Sequence, residues 1–212
     1  MLRDPLFFFL ALTFALGLIT GMMIIGHASP MAEDMMMMTP AAAAGIVSIL
    51  AIAITIGKVG WGIVSDKIGS YPVIFLLLIF GGLAMTGLTL IKGYFLFTAL
   101  IVVIGLCYGG FLAIMAPITA GLFGTKNLPV NYGLMFLTVA IAAYVGPYLA
   151  AVIKEAQNGA YTQAFIIAAL LNLAGIVVFS IFMFLQQKKM SKPKPGPKLK
   201  EKTTFIREKT IL

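Results

Sequence analysis

Along this chain, long apolar runs alternate with short polar breaks, and the runs fall in one length class. A helix crossing the ~30 Å hydrocarbon core of a bilayer needs about 20 consecutive apolar residues. Six runs satisfy this: Pro5–Ile25, Pro40–Val64, Tyr71–Ile91, Phe95–Ala120, Val130–Ile153 and Tyr161–Leu185. The breaks carry turn-forming residues: His27–Pro30 followed by Glu33 and Asp34, Ser65–Ser70, Lys92-Gly93, Gly124–Pro129 and Lys154–Gly159. The first run is too long for the apolar part of a cleaved signal peptide, and no small-residue cleavage site follows it, so it reads as the first span. The pattern predicts an all-α membrane protein, with a six-helix bundle over residues 1–186 and a basic tail over 187–212.

Composition strengthens this reading. Of 212 residues, 61% are hydrophobic and only 10% charged, and the mean hydropathy is +1.05. A soluble domain carries roughly 25% charged residues, so lipid must be part of the solvent. The net charge is +8, yet nine of the fifteen Lys and Arg residues follow residue 187. With a cytoplasmic N-terminus, the inner side holds Arg3, Lys67, Lys126 and the tail bases. The outer side then holds only Lys92 and Lys154, beside the acidic Glu33-Asp34 pair. This asymmetry predicts that both termini are cytoplasmic. The run Lys192-Pro193-Lys194-Pro195-Gly196-Pro197-Lys198 cannot bury a core and is expected to be disordered, as a stop signal or against anionic lipid. No aromatic side chains interleave with bases in a folded segment, which argues against nucleic-acid binding.

Within the spans, Gly17-x-x-x-Gly21 and Gly105-x-x-x-Gly109 have the spacing of closely packed membrane helices. The lone cysteine, Cys107, cannot form an intramolecular disulfide. Lys58 is the only formal charge well inside a span, and such charges are costly enough to face a cavity or serve a function. It also lies only about 10 Å from the second span's cytoplasmic end, at 1.5 Å per residue, within reach of snorkelling. Both readings stand.

The stretch Gly62-Ile63-Val64-Ser65-Asp66-Lys67-Ile68-Gly69 joins spans two and three. It resembles the loop signature of the major facilitator superfamily, G-x-x-x-D-[RK]-x-G, though Ser70 and Tyr71 stand where further bases are usual. Gly26-His27-Ala28-Ser29-Pro30-Met31-Ala32 looks like the end of helix seven in the oxalate/formate antiporter-like, monocarboxylate transporter-related branch. Gly105-Leu106-Cys107-Tyr108-Gly109-Gly110-Phe111, Phe123-Gly124-Thr125-Lys126-Asn127 and Asn131-Tyr132-Gly133 resemble its helix ten, following loop and helix eleven.

The resemblance implies helices seven to twelve of a twelve-helix transporter, with inverted three-helix repeats, in which two bundles rock about one central site. It makes Gly62, Asp66, Lys67 and Gly69 a cytoplasmic gate. It also places Lys58 where the branch carries an arginine associated with the substrate carboxylate; lysine would act there as a point charge. The oxalate-specific members' second cation falls near Val139, so a monocarboxylate or another small organic anion is expected rather than a dicarboxylate. Lys58, Tyr108 and Tyr132 are the candidate substrate contacts.

Other features carry less. His27 stands at the outer end of span one, as a titrating group or an interfacial side chain. Tyr144 and Tyr148 line a pathway or pack. Pro117 and Pro147 are candidate kinks. The Met35–Met38 run is expected to be a flexible outer loop rather than a copper site, because no histidine or cysteine clusters beside it. No catalytic triad, zinc spacing or phosphate-cradling loop is present, so no enzyme activity and no cofactor are expected. The leading expectation is transport of a small carboxylate by a C-terminal half. That half is a fragment, pairs with a separately encoded N-terminal half, or pairs with a second copy of itself. The rival is a transport-inactive fragment or membrane scaffold that partners another membrane chain.

Overall fold

A computed structural model of the chain describes residues 4–90 and 93–190; Arg3, Lys92 and the Lys/Pro-rich run from residue 191 onward lie outside the described residues. The described chain forms six helices: α1 (Pro5–Met36), α2 (Pro40–Ile68), α3 (Ser70–Thr89), α4 (Tyr94–Phe123), α5 (Leu128–Ala156) and α6 (Thr162–Met190). Each is long and apolar enough to cross a membrane.

Local chemistry sets the helix ends. Asp4 caps α1 by accepting the Leu6 amide at 3.2 Å, and Thr39 caps α2 by accepting that of Ala42 at 3.4 Å. Pro5, Pro40 and Pro129 occupy first-turn positions, where no amide hydrogen is needed. A single residue, Gly69, turns the chain from α2 into α3 at φ +87° and ψ 159°, a conformation only glycine adopts without strain.

Several helices outrun their expected spans. His27–Pro30 is not a turn: α1 passes through it and also takes in Met35 and Met36, so the methionine run is partly helical. Pro30 removes one amide donor, but the Ser29 hydroxyl donates to Glu33 at 2.9 Å across the same turn. The helix stops only where Met37 adopts φ 53° and its amide returns to the Ala32 carbonyl. Likewise Ser65–Ile68 belongs to α2, Lys154 to the last turn of α5, and Lys188 and Lys189 to the last turn of α6. Polar residues mark where the apolar stretch ends, not where the backbone leaves the helix.

Successive helices run antiparallel, so both ends of the bundle lie on one face, clasped by a salt bridge between Asp4 and Lys189. We call this the near face; Asp66 and Lys67 share it. The far face carries the Lys154–Asp34 bridge at 2.6 Å. Helices α1 and α4 are central, with 56% of each span buried against 28% for α2 and for α5. The principal pairings are α2 with α4, α1 with α5, α3 with α6, α1 with α6 and α3 with α4. Exchanging α1–α3 for α4–α6 maps this set onto itself. The two three-helix units enter from opposite faces.

Lipid tails are as apolar as the bundle interior, so packing rather than hydrophobic transfer holds such helices together. At the α2–α4 crossing a Cβ on Gly109 would lie 2.2 Å from the Ile54 carbonyl oxygen, and one on Gly57 2.3 Å from that of Leu106. At the α1–α5 crossing a Cβ on Gly146 would lie 2.7 Å from the Ile19 carbonyl oxygen. Gly17 and Gly21 instead admit side chains, the rings of Phe111 and Tyr108.

The packing and the near-face clasp each carry a prediction. Gly109→Ala is expected to destabilise the bundle by about 1–3 kcal/mol through overpacking. Gly45→Ala, which meets no atom within 4 Å, should be neutral or up to about 1 kcal/mol stabilising. Thermal unfolding in detergent micelles compares the pair. At the clasp, burial opposes ionisation of Asp4, but the hydrogen bonds from Lys189 and the Leu6 amide outweigh it. They hold the carboxyl below its ordinary value of 3.8. A depressed folded-state value means that the pair stabilises above that pH and ceases to do so as acid protonates Asp4. Asp4→Asn keeps the cap and is expected to lose at most about 1 kcal/mol near neutrality. Unfolding curves at neutral and acid pH should show that loss shrink once the pH falls below the ordinary carboxyl value of 3.8.

Candidate functional site

The open sides of α2 and α5 are where the sequence candidates gather. On α2 this side divides into two strips. Ala44, Ser48, Ala51, Thr55, Lys58 and Gly62 succeed one another at spacings of three and four, and most of the strip is exposed. Beside them run the exposed aliphatics Ile52, Ile56, Val59 and Ile63. Large aliphatic side chains suit lipid, whereas a strip of small and hydroxyl-bearing residues around an ammonium does not. The hydroxyls of Ser48 and Thr55 donate within the helix, to Ala44 at 3.3 Å and Ala51 at 3.0 Å. Their oxygens remain able to accept from outside.

Lys58 is exposed on this strip and has no ion-pair partner among the described residues. Its backbone is fixed by the tightest crossing in the bundle, since a Cβ on Gly109 would stand 2.9 Å from its amide nitrogen. The helix holds the stem while the ammonium stays free. Ser48 and Thr55 escaped the sequence reading. Their place on the strip of Lys58, at the same three-and-four spacing, is the signal that would have found them.

The other substrate candidates stand apart from Lys58. Tyr108 is 6% exposed, its ring pressed on Gly21. It lines a small interior pocket with Thr20, Cys107, Phe111 and Asn172. Tyr132 is half-buried at the near end of α5, next to buried Asn131, with its ring 5.7 Å from that of Phe136. Val139, the second-cation position, is buried on α5. The open side of α5 repeats the α2 division: Gly133, Ala140, Pro147 and Ala151 on one strip; Leu137, Ile141, Tyr144, Tyr148 and Val152 on the next. Tyr144 and Tyr148 stack, with centroids 5.9 Å apart and planes 6° from parallel.

The gate candidates cluster at the near end of α2. Asp66 and Lys67 are exposed, Gly62 meets nothing within 4 Å, and Gly69 makes the turn. The Ser65 and Ser70 hydroxyls lie 3.0 Å apart and bridge that turn. At the far end, His27 reaches from α1 to the Pro147 carbonyl of α5 at 3.1 Å.

A larger groove of about 420 Å³ lies between α3 and α6, lined by Leu78, Leu83, Leu170, Leu173 and other mainly apolar residues. It holds no charged side chain.

The sequence profile of the Major Facilitator Superfamily matches residues 6–211. An uncharacterized MFS-type transporter of Escherichia coli, YhjX, is 28% identical, the match covering 67% of this chain and 36% of that protein. The oxalate:formate antiporter of Oxalobacter formigenes is 28% identical, over 93% of this chain and 48% of its own length. Monocarboxylate transporter 10 of Mus musculus is 27% identical, over 69% of this chain and 30% of its own. The chain spans less than half the length of each of these relatives.

Proposed function

The chain belongs to the Major Facilitator Superfamily, and on that premise we propose that it supplies one six-helix half of a secondary transporter for a small organic anion, a monocarboxylate, working by alternating access. Membership makes it a multi-pass membrane protein of a transporter family. The anion and the half-bundle role are our reading. One observation carries the anion: the charge well inside a span, Lys58, lies on a small and polar strip rather than among the aliphatics of the same helix. A point charge with the Thr55 hydroxyl one turn away suits a carboxylate bound with its own water or proton. Valine at the second-cation position favours one carboxylate over two. The monocarboxylate transporter's name fits this class, and the antiporter's name includes one monocarboxylate, formate, beside the dicarboxylate oxalate.

In this reading the open sides of α2 and α5 receive the complementary bundle, whether it comes from a longer chain of which this is a fragment, a separately encoded half or a second copy, and the substrate lies between. Tyr132, half-buried at the near end of α5, borders the pathway, while Tyr108, buried against Gly21, stands behind it. Gly62, Asp66, Lys67 and Gly69 form the gate on the cytoplasmic side, with both termini there. Loop bases concentrated on that face support the orientation.

The test is uptake of a radiolabelled monocarboxylate by vesicles bearing the chain, alone or with a complementary six-helix bundle. Losing a charged hydrogen bond costs about 1.5–3 kcal/mol, so Lys58→Ala should raise the half-saturating concentration at least about ten-fold. Lys58→Arg should retain uptake. Uptake unchanged in Lys58→Ala removes the binding role. Absence of uptake in every assembly favours the scaffold reading instead.

A further inference from the structure

Polar side chains of three helices converge in the middle of the bundle. Thr20 of α1, Tyr108 of α4 and Asn172 of α6 are 3%, 6% and 1% exposed. Together with the Cys107 thiol they line a cavity of about 10 Å³. Tyr108 stands about 21 Å from either end of α4 at 1.5 Å per residue, so the cavity lies deep in the apolar layer. Glycine makes the room: Gly17, Gly21 and Gly81 border the cavity and bring no side chain into it.

The hydrogen bonds of these groups do not close within the protein. The Thr20 hydroxyl donates to the Gly17 carbonyl at 2.8 Å, which leaves its oxygen able to accept. Asn172 donates one amide hydrogen to the Ala168 carbonyl at 3.1 Å, and that bond orients its carboxamide. The carboxamide oxygen and the Tyr108 hydroxyl have no hydrogen-bond partner among the described residues. Yet no fully enclosed side-chain nitrogen or oxygen of the described residues lacks a partner. Both atoms therefore touch open space, and the cavity is the space that Tyr108 and Asn172 share. Asn172 also borders the groove between α3 and α6, but there its Cβ faces Gly82. Its oxygen faces Gly81, a cavity residue, where an added Cβ would lie 3.1 Å away.

We propose that this cavity is the binding site of a single water molecule, which joins α1, α4 and α6 at mid-membrane. The water accepts the Tyr108 hydroxyl hydrogen and donates one hydrogen to the Asn172 oxygen and the other to the Thr20 oxygen. About three bonds are usual for a buried water, and a cavity of roughly this size holds one. Apolar cavities stay dry, whereas this one is walled by donors and acceptors. Its size excludes any ligand with a longer skeleton. A metal cation would stand in the apolar layer with no carboxylate among the lining residues to balance it. The water ties α1, from the first three-helix unit, to α4 and α6 of the second. It also turns the Tyr108 hydroxyl toward the interior of the bundle. The proposal does not depend on which anion the protein carries.

The 212-residue chain contains one cysteine, so isotope-labelled cysteine reports on this cavity. In lipid bilayers, solid-state NMR should show magnetisation passing from water protons to the Cys107 carbons at short mixing times. Tyr108→Phe combined with Asn172→Leu leaves the water one partner where it needs about two to four, so most of that transfer should be lost. No transfer in the native chain overturns the site, and so does undiminished transfer in the double variant. Equilibrium unfolding in detergent micelles gives a second reading that does not need that variant to fold. Tyr108→Phe and Thr20→Val each remove one hydroxyl with little change of shape. Because one water bridges the two, the unfolding constant of their combination should fall short of the product of the single effects by about five-fold, the worth of one hydrogen bond. Effects that simply multiply overturn the bridge. Stability that depends on sodium in the native chain but not in Tyr108→Phe overturns it as well, in favour of a bound cation.

Discussion

Backbone touching backbone at two helix crossings is the constraint on which this bundle rests. In hydrocarbon, burying a leucine against another helix gains little over burying it against lipid, so attraction must come from close approach and dispersion. Glycine supplies that approach where α2 crosses α4 and again where α1 crosses α5. These crossings hold the peripheral helices by one side each and leave the other side uncovered. Lys58 has its place for this reason: its own amide is part of the α2–α4 contact, so the ammonium departs from a rigid point. Removing the glycines would shift the charge as well as the helices.

The number and order of helices were legible in the sequence, because hydropathy over 20-residue windows reports directly on the bilayer. Where the helices end was less so. His27–Pro30 has the composition of a turn, yet a helix that emerges from lipid into the headgroup region can remain helical among polar side chains, as α1 does to Met36. The glycine pairs show a second limit. Gly17-x-x-x-Gly21 and Gly105-x-x-x-Gly109 look alike on paper, but the first admits aromatic rings, whereas Gly109 in the second meets a backbone. Spacing announces a close approach without saying what approaches.

The candidate site was half legible. Lys58 stood out as a charge among apolar residues, and its strip was written in the three-and-four spacing of Ser48 and Thr55, visible once α2 is known to bury only one side. The motif around Tyr108 marks it as a candidate. Its burial against Gly21 depends on α1, far away in the chain, and no local pattern encodes that. The His27 contact with Pro147 is of the same kind. Side chains whose partners lie on their own helix can be read in one dimension; those held by another helix cannot.

The pairing of α1 with α5 also bears on how the protein is made. His27 and the carbonyl it binds are 120 residues apart. Translation proceeds at about 5–20 residues per second, so α1 waits roughly 6–24 s in the membrane before its main partner is synthesised. During that time its glycines and His27 are open to lipid or to any chaperone or insertase nearby. A bundle built this way depends on the company α1 keeps. Early breakdown or mispairing of nascent chains is therefore expected to begin with α1.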